Sequence, residues 1–153
     1  MSEMHSKSEK PSKVDNFDSN SVRELIFKDN KGMTLTIPME INKESITGII
    51  DTAAQITIIS RKFLSKMANP PQCLEPVRLR NAQENSVMLG WETNETLLTI
   101  GSKNYHWTIV VAPIEDECII GLDFLKAMKC NIDLDKNVLN ISGKEIPIYK
   151  ITK

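Results

Sequence analysis

The residues of this chain that could do chemistry are carboxylates rather than histidines or cysteines. Its 153 residues include only two histidines, His5 and His106, and three cysteines, Cys73, Cys118 and Cys130. The cysteines form no close pair, and so few histidines exclude ordinary zinc spacing. Nucleophilic catalysis of the Ser-His or Cys-His kind would depend on His106 alone. Any hydrolytic chemistry is therefore expected to use carboxylates, with no metal and no cofactor.

Asp51 is the carboxylate with the most distinctive surroundings. It follows an apolar pair in the block IIDTAAQITIIS, which spans residues 49–60. A second block, IIGLDFL at residues 119–125, places Gly121 seventy positions after Asp51. An isolated Asp at the end of a buried strand would more simply close a turn. A catalytic position is the alternative, and it depends on what the two blocks together resemble.

A β-rich domain is predicted to position this motif. From Leu25 onward, short segments rich in Ile, Val and Thr are separated by turn residues, which is typical of strands. Residues 35–41 alternate, residues 42–44 turn, and residues 46–50 return as a hairpin arm that ends at Asp51. Further strands are predicted at residues 56–59, 77–81, 87–92, 96–100, 105–112, 119–122, 132–134, 138–141 and 145–151, the last at a sheet edge because it contains Pro147.

Two short helices and several surface residues complete the prediction. Ser60 should cap a helix that runs to Met67, and Asp123 should cap one that runs to Lys129. Asp133 and Asp135 are interpreted as turn or surface residues, and His106 as facing solvent. Trp91 and Trp107 are expected to pack in the core or at the base of a hairpin rather than to stack on a ligand.

Composition predicts one domain and excludes several classes of function. Residues 1–21 are polar and are expected to form a flexible arm, whereas residues 22–153 suffice for a single core. Nineteen Lys and Arg against twenty Asp and Glu give a net charge of −1, which does not favour nucleic acid. No apolar run approaches the ~20 residues of a membrane span, and residues 1–13 lack a signal-peptide core. We therefore expect an intracellular, cytoplasmic protein that binds neither nucleic acid nor membrane.

The two blocks, taken together, resemble the retropepsins, the retroviral-type aspartic proteases. This group includes retrotransposon proteases and the protease-like domain of the DNA-damage-inducible ubiquitin shuttle proteins. The likeness covers roughly residues 25–151 and extends to CNIDLDKNVL at residues 130–139. It implies an all-β fold: a retropepsin-like closed barrel, equivalent to half of an acid protease, with one or two short helices.

The resemblance also implies an activity and an assembly. An aspartic endopeptidase hydrolyses an extended polypeptide or polyprotein with two carboxylates that share one proton. Asp51 would be one of them. The other Asp-Ser or Asp-Thr dipeptide, Asp18-Ser19, lies in the polar arm with no apolar strand before it. The second carboxylate would then come from another copy of the chain, so the resemblance implies a homodimer.

Roles for other residues follow from the same resemblance. Thr52 would hydrogen-bond across the dimer axis, and Ala53 and Ala54 would line the cleft floor. Residues 146–151 would interleave with the second copy at the dimer interface. A flap that closes over the peptide would comprise Ala82, Gln83, Glu84, Asn85, Ser86, Val87 and Met88. Support beneath the aspartate loop would come from Ile119, Ile120, Gly121 and Leu122.

One departure keeps two alternatives open. The family usually has Gly where this chain has Ala53, and the added methyl group narrows the cleft floor. It motivates a catalytically silent, domesticated dimer that binds peptides or partner proteins without cutting them. The short length and the terminal strand hint at a second alternative, a purely structural dimerisation module within a larger polyprotein.

Overall fold

The structure is a computed structural model that describes residues 22–27, 32–82 and 84–152. The predicted polar arm, residues 1–21, lies outside the described residues. The described part contains twelve strands and two helices. The strands are β1 (Glu24–Phe27), β2 (Met33–Ile41), β3 (Glu44–Ile50), β4 (Ile58–Ser60), β5 (Cys73–Asn81), β6 (Ser86–Ile100), β7 (Lys103–Ala112), β8 (Cys118–Ile120), β9 (Asn131–Asp133), β10 (Val138–Ile141), β11 (Lys144–Pro147) and β12 (Tyr149–Thr152). The helices are α1 (Arg61–Leu64) and α2 (Leu122–Ala127).

Six of the strands close into a barrel. They follow the order β2-β3-β8-β4-β7-β6, and a pairing between β6 and β2 completes the ring. β5 and then β1 extend the sheet beyond β6, and β12 extends it beyond β2. A separate three-stranded sheet has the order β11-β10-β9. The predicted all-β closed barrel with two short helices is confirmed.

The β2–β3 hairpin shows how local sequence builds the barrel. Its two turn residues, Asn42 and Lys43, have positive φ angles of 48° and 72°, and asparagine tolerates this conformation better than most residues. The Asn42 side chain also accepts a hydrogen bond from the Leu97 backbone N–H at 3.1 Å. The turn therefore fixes the register of the hairpin and joins it to β6.

The core is divided into two apolar clusters. The larger fills the barrel and reaches α2 and the three-stranded sheet, with Ile37, Ile109 and Phe124 among its most buried side chains. The smaller, here called the groove cluster, consists of Phe27, Ala54, Ile58, Val77, Leu79, Val110, Ala112 and Ile119. The groove cluster joins β1 and β5 to the loop after β3. The cluster therefore reaches the loop that begins at Asp51.

Several predicted boundaries are wrong. Ile56 lies outside the strand predicted at residues 56–59, because β4 begins at Ile58. The helix capped by Ser60 ends at Leu64 rather than Met67, although the cap is present: Ser60 Oγ accepts from the Phe63 N–H at 2.9 Å. The strands predicted at residues 87–92 and 96–100 are one long strand, β6. A register irregularity between Glu92 and Glu95 lets β6 continue past the break in its pattern.

The last predicted strand, residues 145–151, is two strands in different sheets. β11 pairs with β10, whereas β12 pairs with β2, and Ile148 lies between them. Ile148 is buried, and its N–H donates to the Asn137 carbonyl at 2.9 Å. The chain changes sheet here because Pro147 ends one ladder and Ile148 inserts into the core. No helix in the described part of the chain is long and apolar enough to cross a membrane.

Candidate active site

Asp51 lies where the two sequence blocks meet. β3 runs parallel to β8, with Ile50 opposite Ile120. The Asp51 N–H then donates to the Ile120 carbonyl at 3.0 Å, one residue beyond the strand pair. The residue is only 5% exposed. Seventy residues of sequence therefore separate two segments that the barrel places side by side.

The loop after Asp51 folds back on its own aspartate. Asp51 Oδ1 accepts from the Ala53 N–H at 2.9 Å, and the Asp51 carbonyl accepts from the Ala54 N–H at 3.2 Å. This local turn fixes the position of the carboxylate, a common use of Asp in turns. Thr52 and Ala53 are exposed, whereas Ala54 is fully buried in the groove cluster. Ala53 is not among the non-glycine residues with positive φ, so the backbone accepts alanine there without strain.

Gly121 allows the second block to pack under this loop. A Cβ atom at Gly121 would overlap the backbone of Ile56, so only glycine fits the approach. The Gly121 N–H donates to Thr57 Oγ1 at 3.1 Å, and the Leu122 N–H donates to the Ala54 carbonyl at 2.8 Å. The four residues predicted to support the loop, 119–122, are thus brought directly against it.

Asp123 has a different place from the one predicted. The residue that caps α2 is Gly121, and α2 has no side-chain cap. The Asp123 carboxylate instead accepts from Thr57 Oγ1 at 2.8 Å and from Trp107 Nε1 at 2.9 Å. The predicted capping role is therefore wrong, because both carboxylate oxygens bind donors from other segments. No local pattern could reveal this, since Thr57 lies 66 residues away and Trp107 lies 16 residues away.

The remaining residues singled out from the sequence mostly lie as expected. His106 is exposed on β7, and Tyr105 is buried beside it. Trp107 packs its ring edge-on against Phe124 with centroids 5.4 Å apart, in addition to its hydrogen bond. Trp91 is 38% exposed on β6, so its indole is not a core group. Asp133 closes a turn, since its Oδ1 accepts from the N–H groups of residues 135 and 136.

The predicted flap is the end of the β5–β6 hairpin. Ala82, Glu84 and Asn85 lie in the turn, where Asn85 has a positive φ of 56°. Gln83 lies outside the described residues. Ser86, Val87 and Met88 begin β6 and pair with Asn81, Arg80 and Leu79.

The predicted interface segment is only partly available for an interface. Ile146 and Ile148 are buried in the core, so their side chains are not available to a second copy. β12 is different. Its four residues are exposed, and in the described chain it has a partner strand, β2, on one side only. Residues 149–152 are therefore the continuously exposed part of the predicted interface segment.

The thiols are poorly suited to nucleophilic chemistry. Burial raises the pKa of Cys118 to about 12, with a smaller contribution from the negative charges of Glu117 and Asp123. Burial also raises the pKa of Cys130 to about 11. The three cysteines are free. Among the residues that the structure describes, no cluster of three or more His, Cys, Asp or Glu side chains is arranged to hold a metal ion.

A closed barrel in which an Asp-Thr-Ala loop rests on a glycine from a second block defines a retropepsin-like domain. The chain belongs to the family described as gag-polyprotein putative aspartyl protease, whose sequence model matches residues 37–127. Among curated proteins, it is 28% identical over 122 residues to Protein DNA-DAMAGE INDUCIBLE 1 of Arabidopsis thaliana, covering 74% of this chain and 28% of that protein. It is 31% identical over 121 residues to UBA domain-containing protein Mud1 of Schizosaccharomyces pombe, covering 74% and 34%.

Solved structures show the same fold. The retroviral protease-like domain of Ddi1 from Leishmania major superposes with a TM-score of 0.58 at 20% identity, over 76% of this chain and 94% of that domain. EIAV protease, solved in complex with the inhibitor HBY-793, gives a TM-score of 0.57 at 15% identity, over 65% and 91%. The chain spans between about a quarter and a third of the length of the curated relatives above.

Proposed function

We propose that residues 22–153 form one subunit of a homodimeric aspartic endopeptidase that hydrolyses peptide bonds within extended polypeptides. The observation that carries this proposal is the fixed position of Asp51. Its backbone is bonded to Ile120, and its carboxylate is bonded to the Ala53 N–H. A rigid, buried carboxylate that ends a strand in an aspartyl protease fold is suited to general acid–base work.

One Asp51 per subunit requires a second copy for the reaction. The ionised Asp51 of one subunit would take a proton from water as the water attacks the peptide carbonyl carbon. The partner subunit's Asp51, protonated at that stage, would donate its proton to the carbonyl oxygen. Collapse of the tetrahedral intermediate would then break the C–N bond. The first Asp51 would pass the proton taken from water to the leaving nitrogen, and a hydroxyl of the intermediate would return a proton to the partner subunit's Asp51. Two carboxylates held close together share one proton because both cannot ionise freely.

The exposed edge of β12 is the surface best placed to join two subunits. Thr36 of β2 pairs with Tyr149 on one side and with Ile49 on the other. β12 therefore lies two strand spacings, about 10 Å, from β3, the strand that leads into Asp51. Pairing of β12 with a second copy would satisfy its free backbone groups and bury Tyr149 and Ile151, which are now exposed.

Cleavage of a diverse peptide mixture tests the proposal. Wild type and Asp51→Asn would be compared across about pH 4 to 7, where a shared-proton pair can act. Sedimentation would first establish that both preparations are folded and dimeric. We expect cleavage by wild type alone, and the product termini would report the specificity. Absence of cleavage by a folded, dimeric wild type would overturn the assignment.

Ala53 motivates one alternative function, a catalytically silent dimer that binds peptide without cutting it. The residue is exposed on the loop that carries Asp51, so its methyl group would narrow the cleft floor. Under this alternative Asp51→Asn would leave peptide binding intact, and wild type would show no turnover. The same two preparations therefore separate the two functions.

A further inference from the structure

β1 is held between two segments that the proposed function assigns to the peptide groove. One is β5, the strand that leads into the flap turn, and the other is the loop after Asp51. β1 runs parallel to β5, with Glu24 opposite Arg78 and Phe27 opposite Asn81. β1 lies before residues 35–41, the first strand predicted from the sequence.

The backbone of β1 and of Arg23 just before it makes hydrogen bonds on both sides, one of them to a side chain. Toward the flap strand, the Arg23 carbonyl accepts from the Arg78 N–H at 2.6 Å, and the Phe27 carbonyl accepts from the Ala82 N–H at 2.7 Å. Toward the aspartate loop, the bonds are made by Ile26: its N–H donates to Gln55 Oε1 at 2.8 Å, and its carbonyl accepts from the Gln55 N–H at 3.1 Å. Gln55 lies four residues after Asp51. β1 is therefore bonded as an added strand would be, on both sides at once.

The side chains of β1 fill the space beneath it. Phe27 has no exposed surface and packs with Ala54, Ile58 and Ile119 in the groove cluster, while Leu25 packs against the same cluster. Ile26, between them, is 39% exposed on the opposite face. The groove thus takes alternate apolar side chains of an extended chain. Its floor includes residues of the two sequence blocks that hold Asp51.

We propose that β1 is a self-peptide that occupies the substrate groove and must leave before a polypeptide can bind. This proposal rests on the proposed function, because it takes the space between the flap strand and the aspartate loop as the peptide path. It also specifies the substrate class: an extended segment with apolar side chains two residues apart, as Leu25 and Phe27 are. β1 is suited to leave because it has only four residues, and the ion pairs beside it are partly exposed to solvent. These join Arg23 to Glu92 at 2.9 Å and Glu24 to Arg80 at 3.1 Å.

Competition with an added peptide tests the proposal. The probe is a fluorescent, amidated peptide with the sequence of residues 21–30, and the protein is the whole chain carrying Asp51→Asn to prevent turnover. Two further variants are compared in that background. Ile26→Pro removes the N–H that Gln55 binds. Ile26→Ala keeps this N–H but, like the proline variant, lacks the isoleucine side chain.

We expect the Ile26→Pro chain to bind the probe about threefold to tenfold more tightly than the Ile26→Ala chain, because the tethered strand competes less well after losing one hydrogen bond. A probe with aspartate in place of its phenylalanine should not bind. In isotope-labelled Asp51→Asn protein, saturating unlabelled probe should speed amide exchange in the chain's own residues 23–27. Amides of β10, at residues 138–141, should not change.

Three results would overturn the proposal: equal affinity of the two Ile26 variants, no binding of the probe, or unchanged protection of residues 23–27 at saturation. If wild type cleaves peptides while the β1 amides stay protected from exchange, the protease assignment holds and the self-peptide proposal fails. If the probe displaces β1 but wild type cleaves no peptide, the self-peptide proposal holds and the catalytic assignment fails.

Discussion

The Thr57 hydroxyl donates a 2.8 Å hydrogen bond to the Asp123 carboxylate while accepting one from the Gly121 N–H. Thr57 has no exposed surface. A single hydroxyl thus ties the loop after Asp51 to the first turn of α2. Trp107 Nε1 holds the other Asp123 oxygen and connects the same group to β7.

Thr57→Val should be strongly destabilising. Valine removes the hydroxyl and leaves the Gly121 N–H and one Asp123 oxygen without this partner, so we expect a loss of about 2–4 kcal/mol in the free energy of unfolding. Urea denaturation measures it. The exposed Thr108 provides the control, and Thr108→Val should change stability by less than about 0.5 kcal/mol. Equal losses in the two variants would contradict a structural role for the Thr57 hydroxyl.

Gly121→Ala should destabilise the barrel by overlap rather than by backbone conformation. Its Cβ would meet the Ile56 backbone, which cannot move without shifting the loop after Asp51, and we expect a loss of about 3 kcal/mol or more. Gly143→Ala is the control, because nothing lies near its Cβ and only its positive φ of 77° opposes alanine. The free energy of unfolding of that variant should fall by about 1–2 kcal/mol. Thermal unfolding of both tests the prediction, which fails if Gly121→Ala is the milder change.

Ala53→Gly should trade stability for activity. Because glycine has greater freedom in the unfolded chain, the free energy of unfolding should fall by about 0.5–1 kcal/mol. Loss of the methyl group widens the cleft floor and should raise kcat/KM. Ala127→Gly, at the exposed end of α2, should cost a similar amount with kcat/KM unchanged. Urea midpoints and initial rates on one peptide measure both effects. A kcat/KM that does not rise would show that Ala53 does not limit the site.

Ile151→Glu should weaken the proposed dimer. Ile151 is 45% exposed on the free edge of β12, so a second subunit would bury the new charge there. We expect the dissociation constant from sedimentation to rise at least tenfold, which corresponds to a loss of about 1.4 kcal/mol in the free energy of association. Leu134→Glu, exposed in the turn before β10, should have no effect on assembly. If both variants remain dimeric at the same concentrations, β12 is not the interface strand.

Thiol modification should follow burial. Only thiolates react readily, and burial raises the pKa of Cys118 to about 12, whereas Cys73 is exposed. Iodoacetamide at pH 8 should therefore label Cys73 first and Cys118 only after unfolding, as peptide mass analysis would show. The Cys118 pKa is raised above its unfolded value of 9.0, so its contribution to stability is complete below pH 9 and is lost as pH rises from 9 towards about 12. Fast native labelling of Cys118 would contradict its burial.

Local sequence predicted the parts of the fold that local physics determines. The Asn42 turn, the Ser60 cap and the Asp133 turn each depend on residues within a few positions, and each is present. The pairing of the Asp51 block with the Gly121 block was predicted only through a family resemblance. Spacing alone does not specify which strands become neighbours.

Two of the features that sequence reasoning missed depend on distant partners. Asp123 looks like a helix cap in its own segment, yet its partners are Thr57 and Trp107. β1 has only four residues and no clear alternation, so its stability comes from Gln55 and β5 rather than from its own pattern. Only a run of apolar residues at positions 25–27 hinted at it.

The parallel pairing of β3 with β8 also sets an order of events during translation. Asp51 leaves the ribosome early, but the Ile120 carbonyl that fixes its backbone follows about seventy residues later. A loop of that length must close before the pair can form, and that closure is entropically costly. A nascent chain that stops short of residue 118 therefore carries the aspartate without the support that positions it. Such a fragment is expected to lack the fixed carboxylate on which the proposed activity depends.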